Sequence, residues 1–419
     1  MKTFLSVIMA AVLAAGCNSI SQPKPVVKDS VRHDLPVSGQ LSAKEYTYYH
    51  QLVSHYFDSA LLTRNFNGTV LVAKNGVIVF EAYHGLRDLR QKDDSLTADT
   101  PMHIASASKT FTGMAVLQLI EEGKLNLDDT LSKFFPGFPY PGVTVKTLLN
   151  HRSGLPNYVH YLESLGWDKS KPVTNEEVLQ SLFTLKPGKE AEPDRRFSYS
   201  NTNYLLLAII IEKITGTPYP VYMKEQFFTP LHMDHTFVAT DADSARLTPS
   251  FNGWGRYWQP DFLDKTYGDK NIYTTARDLL KWDVAVSNGQ IIGQALLDSA
   301  YTPYSNERPS IHNYGLAWRL LTLPNGKKVI YHNGRWHGTN SAFARLLDEK
   351  ATIIVIGNRY NNNIYRSARG AYDLFGDYLQ QSNNEEDDEN VAQKKAVHSS
   401  SHHATALRKS SARPRKAKK

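Results

Sequence analysis

Strand-forming segments lie near both ends of this chain, and a long, mostly helical stretch lies between them. The turn Asn75-Gly76 separates two apolar runs and predicts a β-hairpin early in the chain. The continuous β-branched run 351–356 near the other end is typical of a central strand. Residues 106 to about 300 are predicted to be largely helical. Strands at both ends that enclose a helical middle predict an α+β fold.

The basic charge of the chain is concentrated in its C-terminal tail. The formal net charge is +7, but residues 391–419 carry nine Lys and Arg side chains and residues 385–389 carry five acidic ones. These two segments together contribute +4, so the rest of the chain is close to neutral. A near-neutral body gives no reason to expect a nucleic-acid partner.

The composition divides the chain into four parts. Residues 1–16 are predicted to be a signal peptide, 17–42 a flexible lipoprotein tether, 43–380 one catalytic domain, and 381–419 a disordered tail, acidic and then basic. The central part, of about 330 residues, is long enough for a sizeable core, and we expect it to be a monomer. The tail either binds anionic envelope polymers or is solvated and has no partner.

The N-terminus has the pattern of a bacterial secretion signal. Lys2 precedes the apolar run 4–16, which as a helix is about 20 Å long, too short for a hydrocarbon core of about 30 Å. The run ends at Cys17, the only cysteine, in a context that resembles the lipoprotein box. We expect a lipid on Cys17 that binds the membrane; the alternative is a plain cleaved signal with an incidental cysteine. Asn18 favours the outer membrane, so we expect a periplasm-facing lipoprotein of the cell envelope.

Ser106 and Lys109 lie where a long buried helix is predicted to begin. Residues three positions apart share one helix face, with Cβ atoms about 5–6 Å apart. Charging Lys109 is disfavoured at the positive end of a helix, and an uncharged amine can activate a serine hydroxyl as a nucleophile. The alternative is an ordinary solvated helix face. The spacing alone is not specific, because Ser21 and Lys24 near the N-terminus have it too.

Two later motifs favour the catalytic interpretation. Tyr199-Ser200-Asn201 precedes an apolar run that predicts a buried helix, and His332-Asn333-Gly334 follows a strand-like segment. In β-lactamases and penicillin-binding proteins, a serine motif is followed along the chain by an S-D-N element and then by a K-T-G element. The alternative for Tyr199 and Asn201 is a capping and packing role ahead of the helix.

With these motifs the chain resembles the serine β-lactamase and penicillin-binding protein family, in its class C-like branch with D-amino-peptidase and esterase relatives. Residues 144–156, 273–279 and 314–318 also resemble segments of that family. The resemblance covers about residues 50 to 378. It implies an antiparallel sheet flanked by helices, with a mainly helical second subdomain.

The resemblance also implies a role for each motif residue. Ser106 is expected to form an acyl-enzyme, with Lys109 as the first candidate base and Tyr199 as the second. A phenol is a poor base at neutral pH unless a cation such as Lys109 lies beside it, so the two are expected to titrate together. Asn201 is expected to hold a substrate amide. The main-chain N–H groups of Ser106 and Arg335 are expected to form the oxyanion hole.

The chain departs from the family pattern at two places. His332-Asn333-Gly334 replaces Lys-Thr-Gly in the segment expected to bind substrate, so a partly charged imidazole replaces a fixed cation and recognition of a carboxylate is less expected. His-x-Gly does occur in peptidase and esterase relatives. Asp194 also follows Pro193 where relatives usually have Gly, which can reshape the loop that carries Tyr199.

The predicted function is therefore hydrolysis through an acyl-enzyme on Ser106, with a β-lactam, a D-amino-acid peptide or an ester as substrate. The alternative is a catalytically idle, lipid-anchored homologue that binds peptidoglycan fragments or scaffolds an envelope complex. The expected partner is a small-molecule or peptidoglycan-derived substrate. His232, Asp234 and His235 have metal-ligating side chains, but ligands so close in sequence rarely converge, and we expect neither a metal nor a cofactor.

Overall fold

The structure is a computed structural model that describes residues 39–380. The predicted signal peptide, Cys17, most of the tether and the tail 381–419 lie outside the described residues. Among residues 39–380, no helix has both the length and the apolar character needed to cross a bilayer.

The described residues contain ten strands and eleven α-helices. The strands are β1 Gly68–Lys74, β2 Val77–His84, β3 Met102–His103, β4 Phe237–Val238, β5 Ile272–Thr274, β6 His312–Tyr314, β7 Arg319–Thr322, β8 Lys328–Trp336, β9 Thr339–Leu346 and β10 Ala351–Gly357. The helices are α1 Ala43–Phe57, α2 Ser108–Glu121, α3 Leu131–Phe134, α4 Val145–Leu149, α5 Tyr158–Ser164, α6 Asn175–Thr184, α7 Asn201–Thr215, α8 Tyr219–Met223, α9 Ala276–Ser287, α10 Gln294–Ala300 and α11 Asn363–Gly370.

Seven strands from the two ends of the domain form one antiparallel sheet, in the order β2-β1-β10-β9-β8-β7-β6. A small second sheet has the order β3-β5-β4. Helices cover both faces of the large sheet, and the residues between β3 and β6 are mostly helical. The α+β prediction and the antiparallel sheet flanked by helices are therefore confirmed.

The first hairpin forms where its turn residues predict it. Asn75 and Gly76 have φ angles of 53° and 73°, as a type I′ turn requires at both central positions. β1 and β2 pair on either side of this turn. The short side chain of Asn tolerates a positive φ and Gly has no Cβ, so these two residue types determine the turn type.

Strand β10 explains the β-branched run at residues 351–356. It pairs with β1 on one side and β9 on the other, and every one of its residues is buried. Ile354 and Ile356 face the core cluster that contains α2 and α7, whereas Ile353 and Val355 face the cluster that contains α1 and α11. A strand buried on both faces has no solvated side, so its apolar run is continuous rather than alternating.

The last helix is shorter than the sequence suggests. Apolar spacing predicts a helix over residues 364–379, but α11 ends at Gly370 and a 3-10 turn, Ala371–Leu374, follows it. The Asp373 carboxylate accepts hydrogen bonds from the main-chain N–H groups of Tyr378 and Gln380. These bonds hold the following residues in a non-helical turn, because Asp side chains compete with the helix for main-chain donors.

Three elements converge at one end of β8. The start of α2 lies beneath this strand, and α2 is buried from Ser108 through Leu119. The first turn of α7 packs against α2, and the segment before β5 contacts Lys109 of α2. Their convergence brings residues from three distant parts of the sequence together.

Candidate active site

Ser106 lies in a 3-10 turn, Ala105–Ala107, immediately before α2 rather than inside the predicted α-helix. Ala105 has a φ of 50°, an unfavourable backbone conformation for a residue with a side chain. The turn leaves Ser106 partly exposed, while Lys109 is completely buried. The spacing of three still brings the Lys109 Nζ to 3.1 Å from the Ser106 Oγ.

The Lys109 amine lies within hydrogen-bond distance of oxygen atoms from three parts of the chain. Besides Ser106, its Nζ lies 2.8 Å from Asn201 Oδ1 and 2.8 Å from the main-chain oxygen of Asp269. The last two oxygens can only accept, whereas a serine hydroxyl can also donate. A neutral amine can therefore donate to Asn201 and Asp269 and accept from Ser106, and an ammonium can donate to all three.

Tyr199 lies beside Lys109, as the motif order predicts. The Lys109 Nζ is 5.0 Å from the centroid of the Tyr199 ring, and the ring is half-buried. The buried imidazole of His151 also packs against the Tyr199 ring, and the two ring centroids are 4.2 Å apart. A phenol next to an amine can take part in proton transfer as a coupled pair.

His151 supports Tyr199 as a neutral side chain. Its Nδ1 lies 3.0 Å from the Asn203 Nδ2 and accepts a hydrogen bond from the Ser200 N–H at 3.3 Å. Burial, followed by the positive charges of Lys109 and Arg319, lowers the pKa of His151 well below 6.5. These contacts give His151 a supporting role beside Tyr199.

Asn201 is the first residue of α7, and its side chain does more than face a substrate. Its Oδ1 accepts the hydrogen bond from Lys109, and its main-chain N–H donates to Asn157 Oδ1 at 3.2 Å. The amide nitrogen of Asn201 is then the group that can donate to a substrate carbonyl. The Asn201 side chain therefore orients the Lys109 amine.

The motif His332-Asn333-Gly334 lies inside strand β8, not after it. The His332 side chain is completely buried; its Nε2 lies 3.0 Å from the Tyr314 hydroxyl and its Nδ1 lies 2.7 Å from the Asn333 carbonyl oxygen. Burial first, and then the charges of Arg319 and Lys109, hold the pKa of His332 well below 6.5. The expectation of a partly charged imidazole is therefore wrong, and substrate binding by His332 stays a prediction.

Asn333 points away from Ser106. Successive side chains of a strand face opposite sides of the sheet, so Asn333 and Arg335 lie on the other side from His332 and Gly334. Asn333 lines a small cavity with Tyr365 and Tyr372, near α11. The Arg335 guanidinium carbon lies 4.8 Å from the centroid of the Tyr360 ring. These placements do not favour substrate contact through the Asn333 side chain, which sequence alone could not assign to a face.

Gly334 allows β8 to touch the turn that carries Ser106. A Cβ atom at this position would lie 2.2 Å from the Ile104 carbonyl oxygen and 3.0 Å from the Ser106 nitrogen. Only a residue without a side chain fits this approach. The main chain of Arg335 follows directly, which is consistent with the predicted oxyanion hole formed by the N–H groups of Ser106 and Arg335.

Arg319 is a residue of this site that no sequence motif marks. It begins β7 opposite Tyr331, is half-buried, and its guanidinium carbon lies 5.4 Å from the centroid of the Tyr199 ring. Its charge contributes to the lowered pKa of both His151 and His332. Arg319 therefore places a fixed cation beside Tyr199. The main-chain oxygen of Asp269 was also missed, because no side-chain pattern marks it.

The loop before Tyr199 accommodates Asp194 in a conformation typical of glycine. Asp194 has a φ of 60°, and its carboxylate accepts a 2.6 Å hydrogen bond from the Arg152 Nε. Arg152 also donates to the Asp194 carbonyl oxygen at 2.6 Å and pairs with Glu307 at 2.5 Å. The departure from the family pattern therefore leaves the loop in place, because Arg152 holds Asp194 in the left-handed conformation.

One set of side chains in residues 39–380 has the composition of a metal site. Asp261, Asp264 and His337 each place a ligand atom within 4.8 Å of the others. Asp264 already accepts hydrogen bonds from the Trp336 Nε1 at 2.6 Å and pairs with His337 at 2.9 Å, which accounts for its lowered pKa despite burial. Among the described residues, the side chains of His232, Asp234 and His235 do not converge in this way.

Known proteins are similar to this chain in sequence. A family model described as Beta-lactamase matches residues 57–376. A penicillin-binding protein of Bacillus subtilis (strain 168) is 32% identical over 323 residues, which cover 72% of this chain and 70% of the relative. Protein flp of Staphylococcus aureus (strain NCTC 8325 / PS 47) is 29% identical over 304 residues, covering 69% of this chain and 59% of the relative.

Solved structures show the same fold at lower identity. The penicillin binding protein from Bacillus halodurans has a TM-score of 0.66 at 21% identity, with 78% of this chain and 98% of that chain covered. The D-amino acid amidase from Ochrobactrum anthropi SV3, complexed with L-phenylalanine amide, has a TM-score of 0.64 at 23% identity, with 78% and 99% covered.

Proposed function

This chain belongs to the beta-lactamase family of serine hydrolases, and from that premise we propose that it hydrolyses an amide bond next to a carboxylate, as in D-amino-acid peptides or β-lactams. The observation that carries this proposal is the single amine of Lys109, which lies within hydrogen-bond distance of both Ser106 Oγ and Asn201 Oδ1. A general base next to a partly exposed serine is the arrangement that acyl transfer requires.

The reaction proceeds in two halves. The Ser106 oxygen attacks the carbonyl carbon and its proton passes to the Lys109–Tyr199 pair, while the carbonyl oxygen becomes an anion held by main-chain N–H groups. The intermediate collapses, the carbon–nitrogen bond breaks, and the leaving nitrogen takes the proton. Water then attacks the Ser106 ester, the ester bond breaks, and the acid product leaves with the serine hydroxyl restored.

Arg319 favours substrates that carry a carboxylate. A guanidinium is charged at all physiological pH values and matches a carboxylate with two parallel N–H donors. Its position beside Tyr199, 5.4 Å from the ring centroid, puts this charge at the proposed proton-transfer pair. A neutral ester has no group that uses this cation, so the peptide and β-lactam alternatives are better supported than the ester.

Two reagents test this proposal on the purified protein. A fluorescent penicillin and an activated fluorophosphonate are each incubated with wild type and Ser106→Ala, and the intact mass is measured. A penicillin adduct on Ser106, or penicillin hydrolysis that Ser106→Ala abolishes, is the expected result. Labelling by the fluorophosphonate without penicillin labelling or hydrolysis indicates an esterase, and absence of label from both reagents together with absence of hydrolysis favours the catalytically idle homologue.

We also propose that the protein faces the periplasm as a lipoprotein anchored through Cys17. The support is the signal-like run 4–16 that ends at the only cysteine, with Asn18 favouring the outer membrane. Metabolic labelling with an alkyne fatty acid should mark wild type and fail to mark Cys17→Ala. Deletion of residues 381–419 tests whether the tail binds anionic envelope polymers, by co-sedimentation with purified polymer.

A further inference from the structure

A buried ion pair that the proposed reaction does not use lies next to Lys109. Asp269 and Lys270 precede β5, their side chains are 1% and 3% exposed, and the Lys270 Nζ lies 3.5 Å from the Asp269 Oδ2. The main-chain oxygen of Asp269 is the same oxygen that lies 2.8 Å from the Lys109 Nζ. Charged groups are costly to remove from water, so a buried ion pair is seldom explained by stability alone.

Lys270 is held by hydrogen bonds and by an aromatic ring. Its Nζ donates to the Tyr158 hydroxyl and to the Thr266 Oγ1, and it lies 4.6 Å from the centroid of the Trp336 ring. Tyr158 in turn donates its hydroxyl proton to the Asp269 Oδ2 at 2.9 Å. Burial, and then the charge of Asp269, raises the pKa of Tyr158 well above 10, so this phenol stays a donor. The Asp269 carboxylate is therefore held by an ammonium and by a neutral phenol.

Tyr158 also connects the ion pair to Asn201, whose side chain orients the Lys109 amine. It begins α5, and its main-chain N–H donates to a threonine hydroxyl of α7 at 2.9 Å. The residue before it, Asn157, accepts a hydrogen bond from the Asn201 main-chain N–H at 3.2 Å through its Oδ1. The start of α5 thus joins the first turn of α7 to the segment that carries Asp269. The ion pair and the two acceptors of the amine form one hydrogen-bonded unit.

The ion pair also balances the charge next to Lys109. The Asp269 carboxylate and the Lys270 ammonium belong to consecutive residues, so their effects on a nearby proton largely cancel. Either charge alone would not cancel, because an anion beside an amine favours its protonated form and a cation disfavours it. An amine must be unprotonated to accept the Ser106 proton, so the two charges affect the pH at which Lys109 becomes a base.

Other ionisable groups pack around the Lys109 amine from several elements. They are Tyr199 before α7, Tyr204 in α7, His151 after α4, Tyr314 in β6, Arg319 in β7 and His332 in β8. Burial keeps the two histidines neutral, which leaves Arg319 as the fixed charge of this set. None of these groups is altered by a substitution at residue 269 or 270. A changed pH dependence in such a variant therefore reports on the ion pair.

We propose that Asp269 and Lys270 are positioning residues for the Lys109 base. They hold the main-chain acceptor that orients the amine, and their opposite charges set the pH range in which the amine can take the Ser106 proton. This inference rests on the proposed function and deepens it, since it concerns how the base of the same site is prepared. Both side chains are almost completely buried, so they act through Lys109 rather than on a substrate.

The pH dependence of Ser106 labelling tests the proposal. The rate constant for labelling by the activated fluorophosphonate is measured as a function of pH in wild type and in three variants. Lys270→Met leaves the Asp269 anion unbalanced, so the acidic limb of the rate profile should move up by about one pH unit. Asp269→Asn leaves the ammonium unbalanced, so the limb should move down by a similar amount. The double variant carries neither charge, and its limb should return close to that of wild type.

A buried ion pair elsewhere in the domain provides the matched control. Asp283 of α9 pairs with Arg345 of β9 and accepts a hydrogen bond from Thr352 of β10. Asp283→Asn should lower the melting temperature but leave the acidic limb in place. Melting temperatures of all variants show which of them are folded. If Lys270→Met does not fold, Asp269→Asn decides alone, because asparagine keeps the size of the side chain and a group that can bind Tyr158.

Opposite shifts distinguish this role from a purely structural one. An acidic limb that stays in place in both single variants, or that moves the same way in both, would overturn the proposal. A double variant that stays shifted would also overturn it. Penicillin labelling or hydrolysis by wild type decides the proposed function separately, because the fluorophosphonate requires only an activated serine. If penicillin alone reacts, its acylation rate gives the same comparison, and a wild type that reacts with neither reagent would overturn both proposals.

Discussion

Gly334 and Ser106 approach so closely that a methyl group on Gly334 would lie 3.0 Å from the Ser106 nitrogen. The same methyl group would lie 2.2 Å from the Ile104 carbonyl oxygen, a distance that no relaxed structure permits. The position of the serine turn against β8 therefore depends on a residue without a side chain.

Gly334→Ala is expected to displace the turn and slow acylation by about 100-fold, because an error of about 1 Å in a reacting group has effects of this size. The rate of penicillin acylation under single-turnover conditions measures this. Gly188→Ala is the matched control, since a Cβ there meets no atom within 4 Å and its φ lies outside the left-handed region. A normal acylation rate in Gly334→Ala would show that the turn is not held by β8.

Lys109→Met should reduce acylation by about 10³-fold or more, because it removes the base while preserving most of the buried volume. The pre-steady-state rate of adduct formation on Ser106 is the measurement. An unchanged rate would assign the base role to Tyr199 alone. The Ser106→Ala protein sets the background for both measurements.

Arg319→Gln is expected to raise the KM for carboxylate substrates by about tenfold to 100-fold. A substrate in which the carboxylate is methylated should be affected much less, since it carries no negative charge for the guanidinium to bind. Steady-state kinetics on the matched pair give this comparison. Equal losses on both substrates would show instead that Arg319 acts through Tyr199.

Asp194→Ala should be less stable than Asp194→Gly by about 1 kcal/mol. Both variants lose the carboxylate that accepts a hydrogen bond from Arg152, but only alanine keeps a Cβ in the left-handed conformation that has a φ of 60°. Urea denaturation of the two variants measures the difference. Equal stabilities would mean that the loop relaxes to another conformation.

The free energy of unfolding should fall as the pH drops below about 6.5. Burial lowers the pKa of His103 to about 3 and holds the pKa values of His151 and His332 well below 6.5. In the unfolded chain these groups bind protons near pH 6.5, so the native state is favoured above that pH and loses about 1.4 kcal/mol per histidine per pH unit below it. The loss continues down to the native pKa values.

Urea denaturation at pH 7, 6 and 5 tests this dependence. His332→Gln should flatten the profile by the share of one histidine, because glutamine does not titrate. A profile that is identical to that of the wild type would show that His332 takes up a proton as readily in the folded protein as in the unfolded chain.

Local chemistry made several features predictable from the sequence. The Asn75-Gly76 turn and the β-branched run of β10 follow from residue type and its backbone preferences. Ser106 and Lys109 meet because a spacing of three brings them together in either a 3-10 turn or an α-helix.

Other features depend on tertiary contacts that local patterns do not encode. The sequence does not show which face of β8 each side chain occupies, so the buried state of His332 and the outward position of Asn333 were not predictable. Arg319 carries no motif and reaches the site only because β7 pairs with β8. The acceptor at Asp269 is a main-chain oxygen, which residue types do not reveal.

The three partners of the Lys109 amine come from residues 106, 201 and 269, in three separate parts of the chain. A fragment that lacks one of these parts loses at least one of these three hydrogen bonds. Catalytic competence is therefore a property of the whole domain, and a denaturant titration followed by penicillin labelling should lose signal together with the global unfolding transition.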